Sequence, residues 1–314
     1  MAFDKVVDSS VLDSGLSQIA DAIREKGGTT DELIFPSGFT TAIEGISSGG
    51  DTSVEDGLID RTLTGEYTND RVTTVGEHAF RGISLSKINL PNVTNIGAYS
   101  FYSAQIESVD FQNVTSIGDQ AFRSCDKLTS VTLPKISTCS GYSFMGCTNL
   151  VEINIPNVTT LNISTFEDCK SLKEVYFPNI TTVGNRIFAN CYELIKAILP
   201  NVTSVSTAMF YYSKKLVSVD LSSATSISSS GFQSCSVLTR VIIRNTTSAC
   251  SLANKNAFTS TPIASGTGYI YVPSTLVDTY KSATNWSTYA SQFRALEDYT
   301  VDGTITGELD ESKI

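Results

Sequence analysis

Phenylalanine recurs at Phe80, Phe101, Phe122, Phe144, Phe166, Phe188, Phe210 and Phe232, at intervals of 21, 21, 22, 22, 22, 22 and 22 residues. Between them the chain follows F-x-x-C-x-x-L-x-x-V-x-L-P-N-V-T-x-I. Phe144, Cys147, Leu150, Ile153, Ile155, Pro156, Asn157, Val158, Thr159 and Leu161 make one copy. Phe166, Cys169, Leu172, Val175, Phe177, Pro178, Asn179, Ile180, Thr181 and Val183 make the next. A unit this short cannot bury its own apolar face, so the period requires successive units to stack.

Two spacings share each copy. Val-x-Leu alternates, which places both side chains on one side of a short strand. Proline then stops ladder pairing and asparagine suits the turn that follows. The V-T-x-I and Phe positions supply inward residues on the return path. The expected architecture is an α/β repeat solenoid with short parallel strands along one side and a phenylalanine column inside. Eight such rings contribute roughly 12–24 kcal/mol of gross burial, at about 1.5–3 kcal/mol each, before chain entropy is subtracted.

The L-x-x-V-x-L-P and A-F-x-x-C elements, as in Leu128 to Pro134 and Ala121 to Cys125, resemble the BspA-type leucine-rich repeat over residues 58–260. That resemblance implies a binding scaffold at a microbial or viral surface, and it implies no chemical activity.

The ends depart from the period. Residues 1–46 read as a helical attachment segment: Leu12, Leu16, Ile19, Ala20 and Ile23 form one stripe, Gly27-Gly28 ends it, and a second helix carries Phe39, Ile43 and Ile46. Residues 47–57, opening Ser47-Ser48-Gly49-Gly50, read as a flexible linker. Gly15 to Gly28, Phe35 to Phe39 and Leu58 to Tyr67 resemble N-terminal segments of tail proteins from phages of Gram-positive bacteria. Attachment to other tail or baseplate proteins is what that resemblance implies. Beyond the repeats, residues 261–299 suit a C-terminal cap. Gly268 to Pro273 gives a last strand, Ser274 caps a helix with Leu276, Val277 and Tyr280, and Asn285 caps another with Trp286, Tyr289, Phe293 and Leu296. Residues 300–314 read as a mobile acidic tail.

Charge narrows the partners. Lys plus Arg is 22 against 32 for Asp plus Glu, a net charge of −10. Phosphate neutralisation of a nucleic acid is disfavoured by that sign, and no apolar run approaches the length of a membrane span. The start Met1 to Asp8 has no apolar stretch of the signal-peptide kind, so the expectation is a protein folded where it is made, with reduced thiols. Five of the seven cysteines (Cys125, Cys147, Cys169, Cys191, Cys235) share one repeat position, and Cys139 and Cys250 take an apolar one. They read as structural core thiols. The Asn-x-Ser/Thr sequons, at Asn157 and Asn179 for example, are the turn of the repeat. His78 has no partner residues in phase, and Glu152 and Glu174 share a repeat position typical of a solvated strand face. Neither a metal site nor a cofactor is expected.

Strand parity sends the residue between the inward Val and Leu outward. That column reads Asn89, Asp110, Thr132, Asn154, Tyr176, Ile198, Asp220 and Ile242. Its neighbour reads Lys87, Ser108, Ser130, Glu152, Glu174, Lys196, Ser218 and Arg240. Glu152, Glu174, Tyr176, Lys196, Ile198, Asp220 and Arg240 are the candidate ligand surface, because exposed aromatic and apolar groups in a polar display favour recognition. The expected function is non-enzymatic: a virion tail protein, assembled in the host cytoplasm, that recognises a bacterial surface glycan or protein. A bacterial surface adhesin and a purely structural virion protein are the alternatives.

Overall fold

The computed structural model describes residues 53–54, 63–296, 300–301 and 304–305. The expected N-terminal helices and the Ser47 to Gly50 joint lie outside the described residues. Within the expected acidic tail, Thr300–Val301 pairs antiparallel with Thr304–Ile305.

Each repeat is one coil of a solenoid. Three-residue strands such as Ser130–Thr132, Glu152–Asn154, Glu174–Tyr176, Lys196–Ile198, Ser218–Asp220 and Arg240–Ile242 run along one side. Two-residue strands such as Asn95–Ile96, Thr138–Cys139, Thr160–Leu161 and Thr182–Val183 mark the return path. Pairing is parallel and joins equivalent repeat positions, as in Glu174 with Lys196, Val175 with Ala197 and Tyr176 with Ile198. The inward Val and Leu positions are buried, for example Val131, Leu133, Val219 and Leu221, except that Ile153 is half-buried.

The phenylalanines stack coil on coil. Neighbouring ring centroids lie 5.0–5.8 Å apart with planes within 16° of parallel, close to the natural spacing of paired strands. Phe258 extends the column, 5.2 Å from Phe232. All of these rings are fully buried.

Two left-handed residues flank each ring, a feature outside the sequence-based expectation. His78, Tyr99, Gln120, Tyr142, Ser164, Arg186, Ala208 and Ser230 precede it by two positions, and Ser103, Ser124, Asp168, Asn190, Tyr212 and Ser234 follow it by two, all with φ between 53° and 65°. Positive φ is costly for residues with a Cβ. The offset comes from hydrogen bonds to the next coil: the amides of Tyr142, Phe144 and Gly146 donate to the carbonyls of Ile163, Thr165 and Glu167 at 2.8–3.0 Å. The asparagines of the turn after the strand form a further ladder. Asn113, Asn157, Asn179 and Asn201 donate their side-chain amides to the carbonyls of Pro91, Pro134, Pro156 and Pro178.

On the strand side the ladder is interrupted twice, between Ser84–Asn89 and Ser108–Asp110 and between Glu152–Asn154 and Glu174–Tyr176. Leu133, Phe177, Leu199, Leu221 and Ile243 donate their amides to the next coil; Leu90 and Ile155, at the same repeat position, have no such bond. Both gaps open toward a coil whose residue after the strand is phenylalanine, Phe111 or Phe177, where other coils have Leu or Ile. Phe177 is wedged against the central column, 6.1 Å from Phe166 and 6.2 Å from Phe188. A ring in a slot sized for a branched aliphatic chain displaces its own strand, because a close-packed interior has no spare volume. The return strands also part on the far side of this coil, between Thr182–Val183 and Ser204–Val205.

The C-terminal end closes the stack differently from the expectation. Tyr269–Val272 adds a strand beside Arg240–Ile242, and Phe293–Ala295 adds one more. The chain turns helical at Ser274, with Pro273 in the capping position, and continues as the helix Val277–Ser282. Asn285 makes no side-chain cap bond; its amide donates instead to the carbonyl of Leu252 at 2.7 Å. The following 3-10 turn ends at Gln292, so Phe293 belongs to the sheet and not to a helix. Trp286, Tyr280 and Tyr289 still cover the end of the column, with Trp286 5.8 Å from Phe258.

Phe166→Ala should lower stability by about 3–5 kcal/mol in denaturant melts of the full chain; an unchanged midpoint would contradict a buried column. Native-state hydrogen exchange should find the amides of Leu90 and Ile155 exchanging faster than those of Leu133, Leu199 and Leu221. Equal protection at all five would contradict the interrupted ladder.

Candidate functional site

The strand face is the part of each coil not fixed by packing, and the structure divides it into three stretches. At the C-terminal end Arg240 and Ile242, expected to face outward, are buried, as is Ser218. The cause is the sheet's continuation beyond the repeats: Ile242 packs with Tyr271 and Leu296, and Tyr269 lies in register with Arg240. Asp220 is half-buried, and its carboxylate accepts from Arg244 at 3.1 and 3.2 Å and from Ser222 at 2.8 Å. Its charge is taken up by the fold. At the N-terminal end the face is polar, and Lys87 sits 3.6 Å from Glu66.

The middle stretch is different. Tyr176 is 64% exposed, more than any other large hydrophobic side chain among the described residues. It stands at the rim of the second ladder gap. Strand displacement there leaves a groove of about 410 Å³, whose walls include Asn154, Pro156, Glu174, Tyr176, Lys196 and Ile198. Glu174 and Lys196 are exposed and half-buried respectively, and Ile198 is half-buried. Glu152 is exposed on the near strand but does not line the groove. The structure therefore gathers Glu174, Tyr176, Lys196 and Ile198 at one groove and leaves Asp220 and Arg240 apart from it. Although Glu174 and Lys196 are paired in register, no ion pair joins them, and the side chains of Asn154, Glu174, Tyr176 and Lys196 make no hydrogen bond among the described residues. The groove was not visible in the sequence, yet its cue was there, in the aromatic Phe177 at a Leu/Ile position.

A second hollow, of about 600 Å³, lies on the turn side between Asp119, Tyr142, Asn162 and Asn185. Its polar groups already serve the fold: Asp119 accepts from the amide of Gly141, Asn185 from that of Thr207, and Asn162 donates to the carbonyl of Cys139. Nearby, the buried Glu167 carboxylate is bound by the Arg186 guanidinium, which it holds firmly protonated. His78 does have a partner in phase, since it stacks on Tyr99 at 5.0 Å and lies 3.3 Å from Glu77.

The thiols form a ladder of their own. Cys125, Cys147, Cys169, Cys191 and Cys235 each donate Sγ–H to the carbonyl of the phenylalanine in the preceding coil, at 3.0–3.3 Å. Ser213 occupies the same position and makes the same bond at 2.8 Å. From Cys125 to Cys235 the position therefore holds a small buried donor, whereas Ile83 and Ala104 fill it in the first two coils with apolar groups. All seven thiols are free and buried. Among the described residues no His, Cys, Asp and Glu cluster has the arrangement of a metal site, and no helix is long and apolar enough to cross a membrane.

A model of the BspA-type leucine-rich repeat region matches residues 62–173 and 137–264, in six copies, together well over half of the chain. The chain belongs to the BspA-type leucine-rich-repeat family. Among solved structures, this BspA-type chain is similar to a leucine-rich repeat protein of T. pallidum, with 24% identity, a TM-score of 0.45, and coverage of 49% of this chain and 76% of that one. A leucine-rich repeat protein from Eubacterium ventriosum shares 18% identity at a TM-score of 0.39, covering 67% and 82%. A leucine rich cell surface protein from Faecalibacterium prausnitzii shares 16% at 0.31, covering 70% and 86%. No curated protein matches the chain in sequence.

Burial pushes the thiols of Cys139, Cys191 and Cys235 far above their ordinary value of 9.0 and that of Cys250 up to about 12. An unfolded chain loses these protons first, so this contribution to stability is intact below about pH 9 and declines as pH rises from there. A disulfide-exchange reagent at pH 8 should label no thiol in the native protein and all seven in denaturant; rapid native labelling would contradict the buried ladder.

Proposed function

We propose that this protein is a non-enzymatic recognition protein whose strand face binds a component of the bacterial cell surface, and that residues 1–46 attach it to a phage tail. The observation that carries the recognition reading is the Tyr176 groove, where an exposed ring and three unengaged polar side chains share one face of a rigid scaffold. Rigid presentation limits the entropy lost on binding, and an aromatic anchor concentrates binding energy. The tail reading is supported by the resemblance of residues 15–28, 35–39 and 58–67 to phage tail segments. Membership of the BspA-type family favours a surface adhesin as the second carrier of the same recognition function.

Fluorescently labelled full-length protein should sediment with intact Gram-positive cells or with their isolated walls, and saturably so. Absence of sedimentation with any of a broad strain panel would contradict recognition. Antibody labelling of particles in a producing culture should decorate phage tails; labelling confined to cell envelopes would favour the adhesin.

A further inference from the structure

The groove beside Tyr176 has a chemistry of its own, and its shape has an identifiable cause. We propose that it is a saccharide subsite, with Tyr176 as stacking platform and Phe177 as the residue that holds the subsite open. This rests on the recognition reading above and names the ligand class for it.

Four features favour a neutral glycan over an extended peptide. The ring of Tyr176 is exposed on a scaffold strand, where it presents a flat apolar face suited to the C–H face of a pyranose. Around it stand a carboxylate from Glu174, an ammonium from Lys196 and a carboxamide from Asn154, none of them engaged with the protein. They supply donors and acceptors together, which vicinal hydroxyls require, and their charges cancel across the groove. The volume of about 410 Å³ falls within the usual range of small-ligand sites. Lastly, the gap lies between coils still joined by the phenyl column, with Phe144 and Phe166 5.5 Å apart, so an added peptide strand would have no room between them.

The first ladder gap serves as an internal control. There Phe111 takes the place of Phe177, but the coils stay close enough for the Glu107 amide to donate to the Ser86 carbonyl at 2.8 Å, and Asp110 stands where Tyr176 stands, its carboxylate tied to Gln112. An opening without an aromatic platform is not a saccharide site. Tyr176 and Phe177 therefore act as a pair, one touching the ligand and the other setting the width of its groove.

The test uses full-length protein with neutral tetrasaccharides of glucose, galactose and N-acetylglucosamine as probes, read by saturation-transfer NMR and calorimetry. At least one should bind, with Tyr176 ring signals perturbed. Tyr176→Ala should weaken it by about tenfold or more without changing the melting temperature, since the ring is exposed. Phe177→Leu should weaken it comparably while leaving Tyr176 in place, and Phe111→Leu should leave it unchanged. No binding to any probe, or a Tyr176→Ala chain that binds as well as the parent, would overturn the proposal. So would preferential binding of a proline-rich or other extended peptide at the same residues. Cell sedimentation separates the two levels: loss of the saccharide effect with retained cell binding overturns the subsite alone, whereas a parent chain that binds no cells overturns the broader reading.

Discussion

One phenyl ring per coil, stacked at the spacing of paired strands, is the constraint from which the rest of this molecule follows. Backbone pairing fixes coil spacing near 4.8 Å, and the rings occupy that spacing with near-parallel planes. Everything else in a coil must accommodate it. The backbone takes left-handed turns on both sides of the ring, and the carbonyl of the ring residue accepts a thiol from the following coil. The cap at the far end is an aromatic lid on the same column, where Trp286 and Tyr289 meet Phe258.

Order at the column leaves the strand face free to vary, and variation there produces function-bearing shape by a simple route. A change of one inward residue alters an outward surface. Phe177 is buried, and in the proposal above it determines whether the strand carrying Tyr176 pairs with its neighbour. In a solenoid each coil contacts only its neighbours, so such a displacement stays local.

The period exposed the solenoid, the phenyl column, the inward valines and leucines and the burial of every cysteine, because these are consequences of apolar spacing alone. The left-handed turns escaped notice because Ser, Tyr, Asn and Asp fill positions where a run of glycines would have announced them. The burial of Arg240 and Ile242 was hidden for another reason: the strands that cover them, Tyr269–Val272 and Phe293–Ala295, come from outside the repeat. Of the surface candidates, Glu174, Tyr176, Lys196 and Ile198 share a groove, which strand parity could not outline because it forms where two strands fail to pair.

The most direct measurement is a crystal structure of the Phe177→Leu chain beside that of the parent. A smaller side chain in the slot should let Glu152–Asn154 and Glu174–Tyr176 pair, with the amide of Ile155 reaching the carbonyl of Tyr176 and the groove filled in. An unchanged gap in the variant would show that the inward ring does not govern the outer face.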